Sequence, residues 1–251
     1  MPINNLNVLI TRPENEGRVL ASKLDKLDVN SLCQPMFDYQ GNDNQTTLLK
    51  LLRQVQQPIV IFISVSAVTY ANKLYALSSW PARQFFAVGT ATAQALKALN
   101  IKATSPEIQT SEGLLAFAEL QNITDQDIII VRGDGGREHL ADSLKARNAN
   151  VTYFEAYQRI WRQLPSNIEQ HWRNHHINCM VITSDAILQN IVQLINQSDG
   201  YWQTACYWVV ASERIATNAK ALGFKRVINA NGANDNAISK AIISDVTNNM
   251  E

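Results

Sequence analysis

The stretch Val8-Leu9-Ile10-Thr11-Arg12-Pro13 ends a short apolar run with a threonine, an arginine and a proline. A similar stretch, Ile128-Ile129-Ile130-Val131-Arg132-Gly133, follows 120 residues later. The same shift pairs the apolar run Ile59–Ser64 with Cys179–Ser184, and both runs end on serine. A single shift that holds across strand, turn and helix is typical of an internal duplication.

Other residues agree with this duplication. Leu20 pairs with Leu140, and Leu24 pairs with Leu144 at the same shift. After a slip of three residues, Lys97 matches Lys220. Helices rich in Ala, Leu and Lys also align by chance, so the alternative is an accidental similarity between amphipathic helices. We favour the duplication, which predicts two similar halves of about 120 residues each.

Short apolar runs alternate with amphipathic helical stretches along the chain. Runs of this kind, rich in Val, Ile and aromatic residues, are typical of parallel strands that are covered on both faces. Repeated β-α units predict an α/β protein, and about five strands per repeat predict two flavodoxin-like parallel sheets. The strands are expected near Val8–Thr11, Asn30–Phe37, Ile59–Ile63, Phe85–Val88, Ile128–Val131, Asn150–Tyr157, Met180–Thr183, Tyr207–Val210 and Val227–Asn229.

Composition excludes several classes of protein. The 251 residues are 46% hydrophobic and carry 22 basic and 22 acidic side chains, so the formal net charge is zero. A neutral chain lacks the basic excess of a general nucleic-acid binder. An odd number of separated cysteines argues against a disulfide framework. We see no signal peptide and no membrane-spanning run, and we expect a cytoplasmic protein.

The turns after the predicted strands are the expected ligand site, because open α/β sheets bind ligands beyond the carboxyl ends of their strands. The helix N-termini there favour anions. Serine and threonine are also common helix caps without any ligand, and a single arginine can be a solvated surface charge. As a set, the side chains favour an anionic ligand. The candidate binding residues are Arg12, Ser64, Gly89, Thr90, Thr92, Arg132, Gly133, Arg137, Ser184, Ser212 and Arg214.

Stricter motifs are incomplete in this chain. Glu138 stands where the third glycine of a dinucleotide fingerprint belongs, and the turn lacks the Gly-Lys-Ser/Thr of a P-loop. His171 and His175 have helical spacing but lack an obvious third ligand, so we expect no metal site. No Ser-His-Asp or Cys-His set can be defended from the spacing.

Eight stretches, taken in order, match the pattern of one known family. They are Leu9–Pro13, Phe62–Val68, Phe86–Ala93, Thr110–Leu115, Arg132 to Leu144, Tyr157 with Arg159, Ile182–Ser184 and Ala211–Ala216. Together they resemble the uroporphyrinogen-III synthase family. The resemblance implies two flavodoxin-like α/β domains joined by a two-stranded linker. It implies a discontinuous domain of residues 1–37 and 158–251 and a second domain of residues 38–157, with the crossings near Phe37 and Tyr157.

The implied activity is that of a lyase that acts without cofactor or metal. It closes the linear tetrapyrrole hydroxymethylbilane to uroporphyrinogen III, with loss of water and inversion of ring D. Tyr157 matches the family's cleft tyrosine and is expected to assist departure of the hydroxyl. Ser64, Thr92 and Ser184 match hydroxyl positions that line the cleft. We expect a monomer, with a transient hand-off of substrate from hydroxymethylbilane synthase.

Two other functions stay open from the sequence. Two α/β lobes around a cleft also describe a binding protein for a small anionic ligand, without turnover. A flavin- or nucleotide-binding enzyme of flavodoxin type is the other alternative, although Glu138 in place of glycine counts against it. For Tyr157 itself, the residues alone favour a packing role with the hydroxyl at a rim.

Overall fold

The computed structural model describes residues 5–135, 138–196 and 200–246. The chain forms two compact units. Unit 1 combines Met1–Asp38 with Trp161–Glu251, and unit 2 is the continuous stretch Tyr39–Ile160. The chain therefore passes from one unit to the other twice, between Asp38 and Tyr39 and between Ile160 and Trp161.

The described residues alternate between strand and helix. The strands are β1 (Asn7–Ile10), β2 (Asn30–Cys33), β3 (Phe37–Gly41), β4 (Ile59–Phe62), β5 (Gln84–Ala87), β6 (Ala103–Thr104), β7 (Asp127–Gly133), β8 (Asn150–Trp161), β9 (Cys179–Ile182), β10 (Tyr207–Val210) and β11 (Arg226–Asn229). The α-helices are α1 (Glu14–Asp25), α2 (Gln45–Gln54), α3 (Val65–Leu74), α4 (Thr90–Lys97), α5 (Ser111–Leu115), α6 (His139–Ala146), α7 (Ile168–Asn174), α8 (Asp185–Leu194), α9 (Gly200–Thr204), α10 (Glu213–Ala221) and α11 (Asp235–Ala241). Short 3₁₀ turns cover Leu77–Ser79 and Ala118–Leu120, and a π-helical turn covers Ile242–Val246.

Unit 1 is built on a five-stranded parallel sheet in the order β2-β1-β9-β10-β11. This is the strand order of flavodoxin-like folds, in which a crevice forms where the order reverses. Side chains of β1 and β9 are buried on both faces of the sheet, as the continuous apolar runs predict. Leu20 and Leu24 of α1 pack against one of those faces.

Unit 2 has the parallel order β8-β7-β4-β5-β6, with β3 added at the outer edge of β8. The amide of Arg162 donates to the carbonyl of Met36, and the amide of Asn42 donates to the carbonyl of Ala156. Residue numbers rise along one strand as they fall along the other, so β3 and β8 are antiparallel. Both passages between the units lie within this strand pair.

The duplication is visible in the registers of the two sheets. Val8 lies opposite Cys179 in unit 1, and Ile128 lies opposite Ile59 in unit 2. These pairs are related by the 120-residue shift, and so are the pairs between β1 and β2 and between β7 and β8. Each sheet therefore joins the first two strands of one repeat to the last three strands of the other. The predicted class, two flavodoxin-like parallel sheets, is confirmed.

Two predicted strands differ from the observed ones. A single strand over Asn30–Phe37 is wrong, because β2 ends at Cys33 and β3 begins at Phe37. Pro35 lies in the gap and has no N–H to donate to a neighbouring strand. The strand predicted at Asn150–Tyr157 continues to Trp161, because its end pairs with β3. No helix in the described ranges is long and apolar enough to cross a membrane.

Leu24 and Leu144 are repeat partners that offer a matched test of the two cores. Both are fully buried, Leu24 in α1 of unit 1 and Leu144 in α6 of unit 2. Each Leu→Ala change should lower the free energy of unfolding of its own unit by about 2–5 kcal/mol, because it leaves a cavity.

Tryptophan fluorescence separates the two effects in urea unfolding. Unit 1 contains Trp161, Trp172, Trp202 and Trp208, and unit 2 contains Trp80. We expect Leu24→Ala to shift the fluorescence transition more than Leu144→Ala, while circular dichroism detects both changes. Equal fluorescence shifts for the two variants would mean that the units unfold as one.

Candidate active site

The carboxyl ends of three neighbouring strands in unit 2 bring together three predicted site residues. Ser64 follows β4, Gly133 ends β7, and Tyr157 lies in β8. The order β8-β7-β4 places these strand ends side by side. The hydroxyl oxygens of Tyr157 and Ser64 are 3.2 Å apart, which is a hydrogen-bond distance.

Ser64 is also the N-cap of α3. Its Oγ accepts the backbone N–H of Ala67 at 3.0 Å. The cap engages one lone pair of the serine oxygen and leaves the hydroxyl hydrogen available. Ser64 can therefore cap the helix, as expected of a serine after a strand, and still form a hydrogen bond with Tyr157.

Gly133 provides the surface against which the ring of Tyr157 lies. A Cβ at this position would be 2.6 Å from two ring carbons of Tyr157 and 3.0 Å from its hydroxyl oxygen. The register of β7 against β8 shifts between Arg132 and Gly133, so that Gly133 lies opposite Tyr157. The amide of Asp134 then donates to the carbonyl of Tyr157 at 2.9 Å. Backbone pairing thus fixes the tyrosine from one side.

Two further tyrosines surround the ring. The rings of Tyr39 and Tyr157 meet edge to face with centroids 4.8 Å apart, and the ring of Tyr70 lies 5.5 Å from Tyr157. The hydroxyl of Tyr70 donates to the carbonyl of Tyr39 at 3.0 Å. Sequence reasoning missed Tyr39 and Tyr70. Tyr39 lies in β3 and Tyr157 in β8. A prediction that these two strands pair would have placed the two tyrosines side by side.

A cavity of about 310 Å³ opens beside Tyr157 in unit 2. Three carboxylates line it, and the expected arginines do not. This lining differs from the arginine-lined site that the turns predict. Two of the carboxylates are paired, Glu155 with Arg132 and Asp134 with Arg159, while the described residues form no ion pair with Asp43. The lining residues are Gln40, Gly41, Asn42, Asp43, Asp134, Glu155, Tyr157 and Gln158.

Arg132, one of the predicted carboxylate contacts, is buried and paired within unit 2. Its guanidinium donates to Glu138 at 2.8 Å and to Glu155 at 3.3 Å. It also lies over the ring of Tyr153, with 3.5 Å from its Cζ to the ring centroid. Tyr153 donates to Glu138 at 2.5 Å. Burial and the bond to Glu138 raise the pKa of Tyr153 to about 12, and the bonds from Tyr153 and Arg132 lower the pKa of Glu138.

Arg12, the repeat partner of Arg132, is also paired with a carboxylate of its own unit. Its guanidinium donates to Asp235 at the start of α11. Both repeat arginines therefore bind the chain's own carboxylates, which favours a structural role for each. Arg214, in contrast, is exposed in α10, and the described residues form no ion pair with it. The predicted Arg137 lies outside the described residues.

The N-terminus of α4 carries three predicted residues and is capped from another loop. Gly89 is the N-cap, and Gln109 accepts the amide and the hydroxyl of Thr90 at 3.2 and 3.3 Å. A Cβ on Gly89 would be 2.4 Å from Oε1 of Gln109, so the glycine leaves room for the cap. Thr92 is only 4% exposed, which favours packing over ligand contact. Sequence reasoning missed Gln109, because it reaches the helix from a separate loop and leaves no local capping pattern.

The two remaining predicted hydroxyls lie in unit 1. Ser184 caps α8 by accepting the amide of Ile187 at 3.3 Å, as Ser64 does for α3. Ser212 occupies the N-cap position of α10, but its side chain makes no capping hydrogen bond. His171 lies in α7 and His175 is its C-cap residue, with ring centroids 4.2 Å apart. Within the described ranges, no three His, Cys, Asp or Glu side chains are grouped as metal ligands.

Comparison with known proteins gives a consistent set of relatives. The family model described as uroporphyrinogen-III synthase HemD matches residues 18–239. The uroporphyrinogen-III synthase of Salmonella typhimurium is 32% identical over 245 residues, which cover 94% of this chain and all of the relative. The enzyme of that name from Escherichia coli is 33% identical over the same coverage.

Solved structures agree at the level of the fold. The uroporphyrinogen-III synthetase of Helicobacter pylori matches 95% of this chain and 99% of its own, with a TM-score of 0.61 and 11% identity. A mutant uroporphyrinogen III synthase from Thermus thermophilus matches 94% of this chain and 96% of its own, with a TM-score of 0.60 and 11% identity. Family model, relatives and fold confirm the resemblance found in the sequence: this chain belongs to the uroporphyrinogen-III synthase family.

Proposed function

We propose that this chain is an enzyme that closes hydroxymethylbilane to uroporphyrinogen III, with loss of water and inversion of ring D. The observation that carries the proposal is the similarity along 94% of the chain to two proteins named uroporphyrinogen-III synthase. The reaction makes the protein a lyase of the hydro-lyase class in tetrapyrrole biosynthesis. The contacts of Tyr157 support a specific role for this residue.

Tyr157 acts as the proton donor to the departing hydroxyl, directly or through water. Either hydroxyl can donate in the contact between Ser64 and Tyr157. In the proposed arrangement Ser64 is the donor, which leaves the tyrosine proton for the substrate. The surface of Gly133 and the rings of Tyr39 and Tyr70 hold the phenol in place. A donor held before the substrate arrives needs little reorganisation when the C–O bond breaks.

The acidic cavity suits the charge that this step creates. Departure of the hydroxyl leaves a cationic azafulvene, and attack on it by a substituted ring carbon gives a spiro intermediate. Asp43, Asp134 and Glu155 line the cavity that Tyr157 borders, and carboxylates stabilise a nearby cation. Asp134 and Glu155 are each paired with an arginine, so the proposed contribution comes mainly from Asp43. Closure without the enzyme gives the uninverted isomer, so orientation of the rings is the main task of the site.

The substrate carboxylates need other partners. Ser184 and Ser212 at helix N-termini, and exposed Arg214, suit this role, because helix N-termini and guanidinium groups bind carboxylates. Thr90 already donates its amide and its hydroxyl to Gln109. The proposal includes action as a cytoplasmic monomer without cofactor, and a transient hand-off from hydroxymethylbilane synthase.

A coupled assay tests the proposed function. Hydroxymethylbilane is made in place by its own synthase, this protein is added, and the oxidised porphyrin isomers are separated. We expect mostly isomer III. Isomer I alone, from a folded protein, would reject the proposal and favour a two-lobed binding protein for an anionic ligand.

Tyr157→Phe removes only the hydroxyl of the proposed donor. We expect kcat to fall on the order of 100-fold with an unchanged melting temperature, because a positioned acid contributes about 100-fold or more. Tyr75→Phe is the matched control, since it removes a hydroxyl of unit 2 outside this cluster. Unchanged turnover in Tyr157→Phe would remove Tyr157 from the mechanism.

Gly133→Ala tests the surface beneath the ring. The added methyl group would overlap the ring of Tyr157 and separate its hydroxyl from Ser64. We expect kcat to fall about 10-fold or more, and the share of isomer I to rise. Gly200→Ala is the control, because a Cβ there meets nothing within 4 Å.

The double variant separates a site effect from a general loss of stability. In the Tyr157→Phe background, Gly133→Ala should cost less than in the wild-type chain, because the hydroxyl that it displaces is already absent. Full additivity of the two losses would contradict the proposed support of Tyr157 by Gly133.

A further inference from the structure

Two aliphatic side chains stand exposed on the carboxyl edge of the unit 2 sheet. Ile108, in the loop after β6, is 70% exposed, and Val65, the first residue of α3, is 43% exposed. Val65 directly follows Ser64, whose hydroxyl contacts Tyr157. Single exposed aliphatic residues are common on protein surfaces. The surroundings of Ile108 and Val65 distinguish them from such scattered surface residues.

The loop that carries Ile108 is held on both sides of this residue. Gln109 is bound to the N-terminus of α4 through Thr90. Thr110 caps α5 by accepting the amide of Gly113 at 3.1 Å. A Cβ on Gly113 would be 2.0 Å from the carbonyl oxygen of Ile108, so the helix packs directly on the loop backbone. The isoleucine therefore projects into solvent from a fixed backbone.

The internal repeat shows that the fold does not require aliphatic residues at these places. Ser64 and Ser184 are equivalent caps, so Val65 corresponds to Asp185. Thr110 and Asn234 are equivalent caps, each of which accepts the amide three residues later, so Ile108 corresponds to Gly232. Unit 1 folds with an acid and a glycine where unit 2 has two exposed aliphatic side chains.

We propose that Ile108 and Val65 bind the pyrrole faces of the substrate during ring closure. This inference rests on the proposed function, since a tetrapyrrole has apolar ring faces and a rim of carboxylates. The Ile108 loop lies beside the N-terminus of α4, because its Gln109 is bound to Thr90. Ser64 and Tyr157, next to Val65, face the reacting end.

Variants at Ile108 test the inference in the coupled assay. Ile108→Ser should raise KM for hydroxymethylbilane about 10-fold and leave kcat within about 2-fold, because it removes apolar contact made equally in the ground and transition states. Ile108→Leu should restore KM to near the wild-type value. Val65→Ser should raise KM in the same direction.

Leu27→Ser is the matched control, because Leu27 is a partly exposed aliphatic residue in the turn that leads from α1 to β2 of unit 1. Its KM and kcat should equal those of the wild type. All variants should keep the wild-type melting temperature, since the changed side chains are exposed. An unchanged KM in Ile108→Ser, or an equal rise in Leu27→Ser, would overturn the inference. Absence of isomer III with the wild-type protein would instead reject the proposed function.

Discussion

The pairing of β4 with β7 is the interaction on which the candidate site depends. Ile59 lies opposite Ile128, and from there the two strands run in parallel to Ser64 and to Gly133. A parallel pair brings both carboxyl ends to one edge of the sheet, and β8 adds Tyr157 at that edge. Without this pairing, the serine, the glycine and the tyrosine would be distant points of the chain. Burial of continuous apolar side chains on both faces of β4 and β7 stabilises it.

Apolar periodicity and the 120-residue shift predict the α/β class and the duplication, because both are properties of the chain itself. The repeat alone suggests two contiguous halves, and only the family resemblance predicts the discontinuous unit that the structure shows. The strand-end turns predict Ser64 and Gly133 as single candidates, and the family resemblance adds Tyr157, for which the residues alone favour packing. The sequence does not predict their mutual contact, which depends on a register shift between Arg132 and Gly133. The gap between β2 and β3 was missed although Pro35 marks it. The Gln109 cap joins two loops that are distant in sequence, and no local pattern reveals such a bond.

The ion-pair partners of charged residues are a second feature that the sequence does not predict. Arginines after strands predict carboxylate binding, but Arg12 and Arg132 already bind Asp235, Glu138 and Glu155. Type and position of a charged residue do not reveal its partner, because Asp235 is more than 200 residues from Arg12. The carboxylates beside Tyr157 could not be predicted for the same reason, because they come from separate segments that only the fold brings to one cavity.

The shared register of the repeats has a consequence for how the chain folds as it is synthesised. Domains fold largely as units, from the N-terminus onward, during synthesis. Unit 2 is continuous, so its sheet can close once Ile160 has left the ribosome. Strands β1 and β2 lack their partner β9 at that stage, although β4, the repeat equivalent of β9, is already present. Correct folding therefore requires that β1 does not pair with β4 before β7 has been synthesised. Premature pairing of Val8 with Ile59 would be a native-like register in the wrong sheet, a kinetic trap that the duplication itself creates.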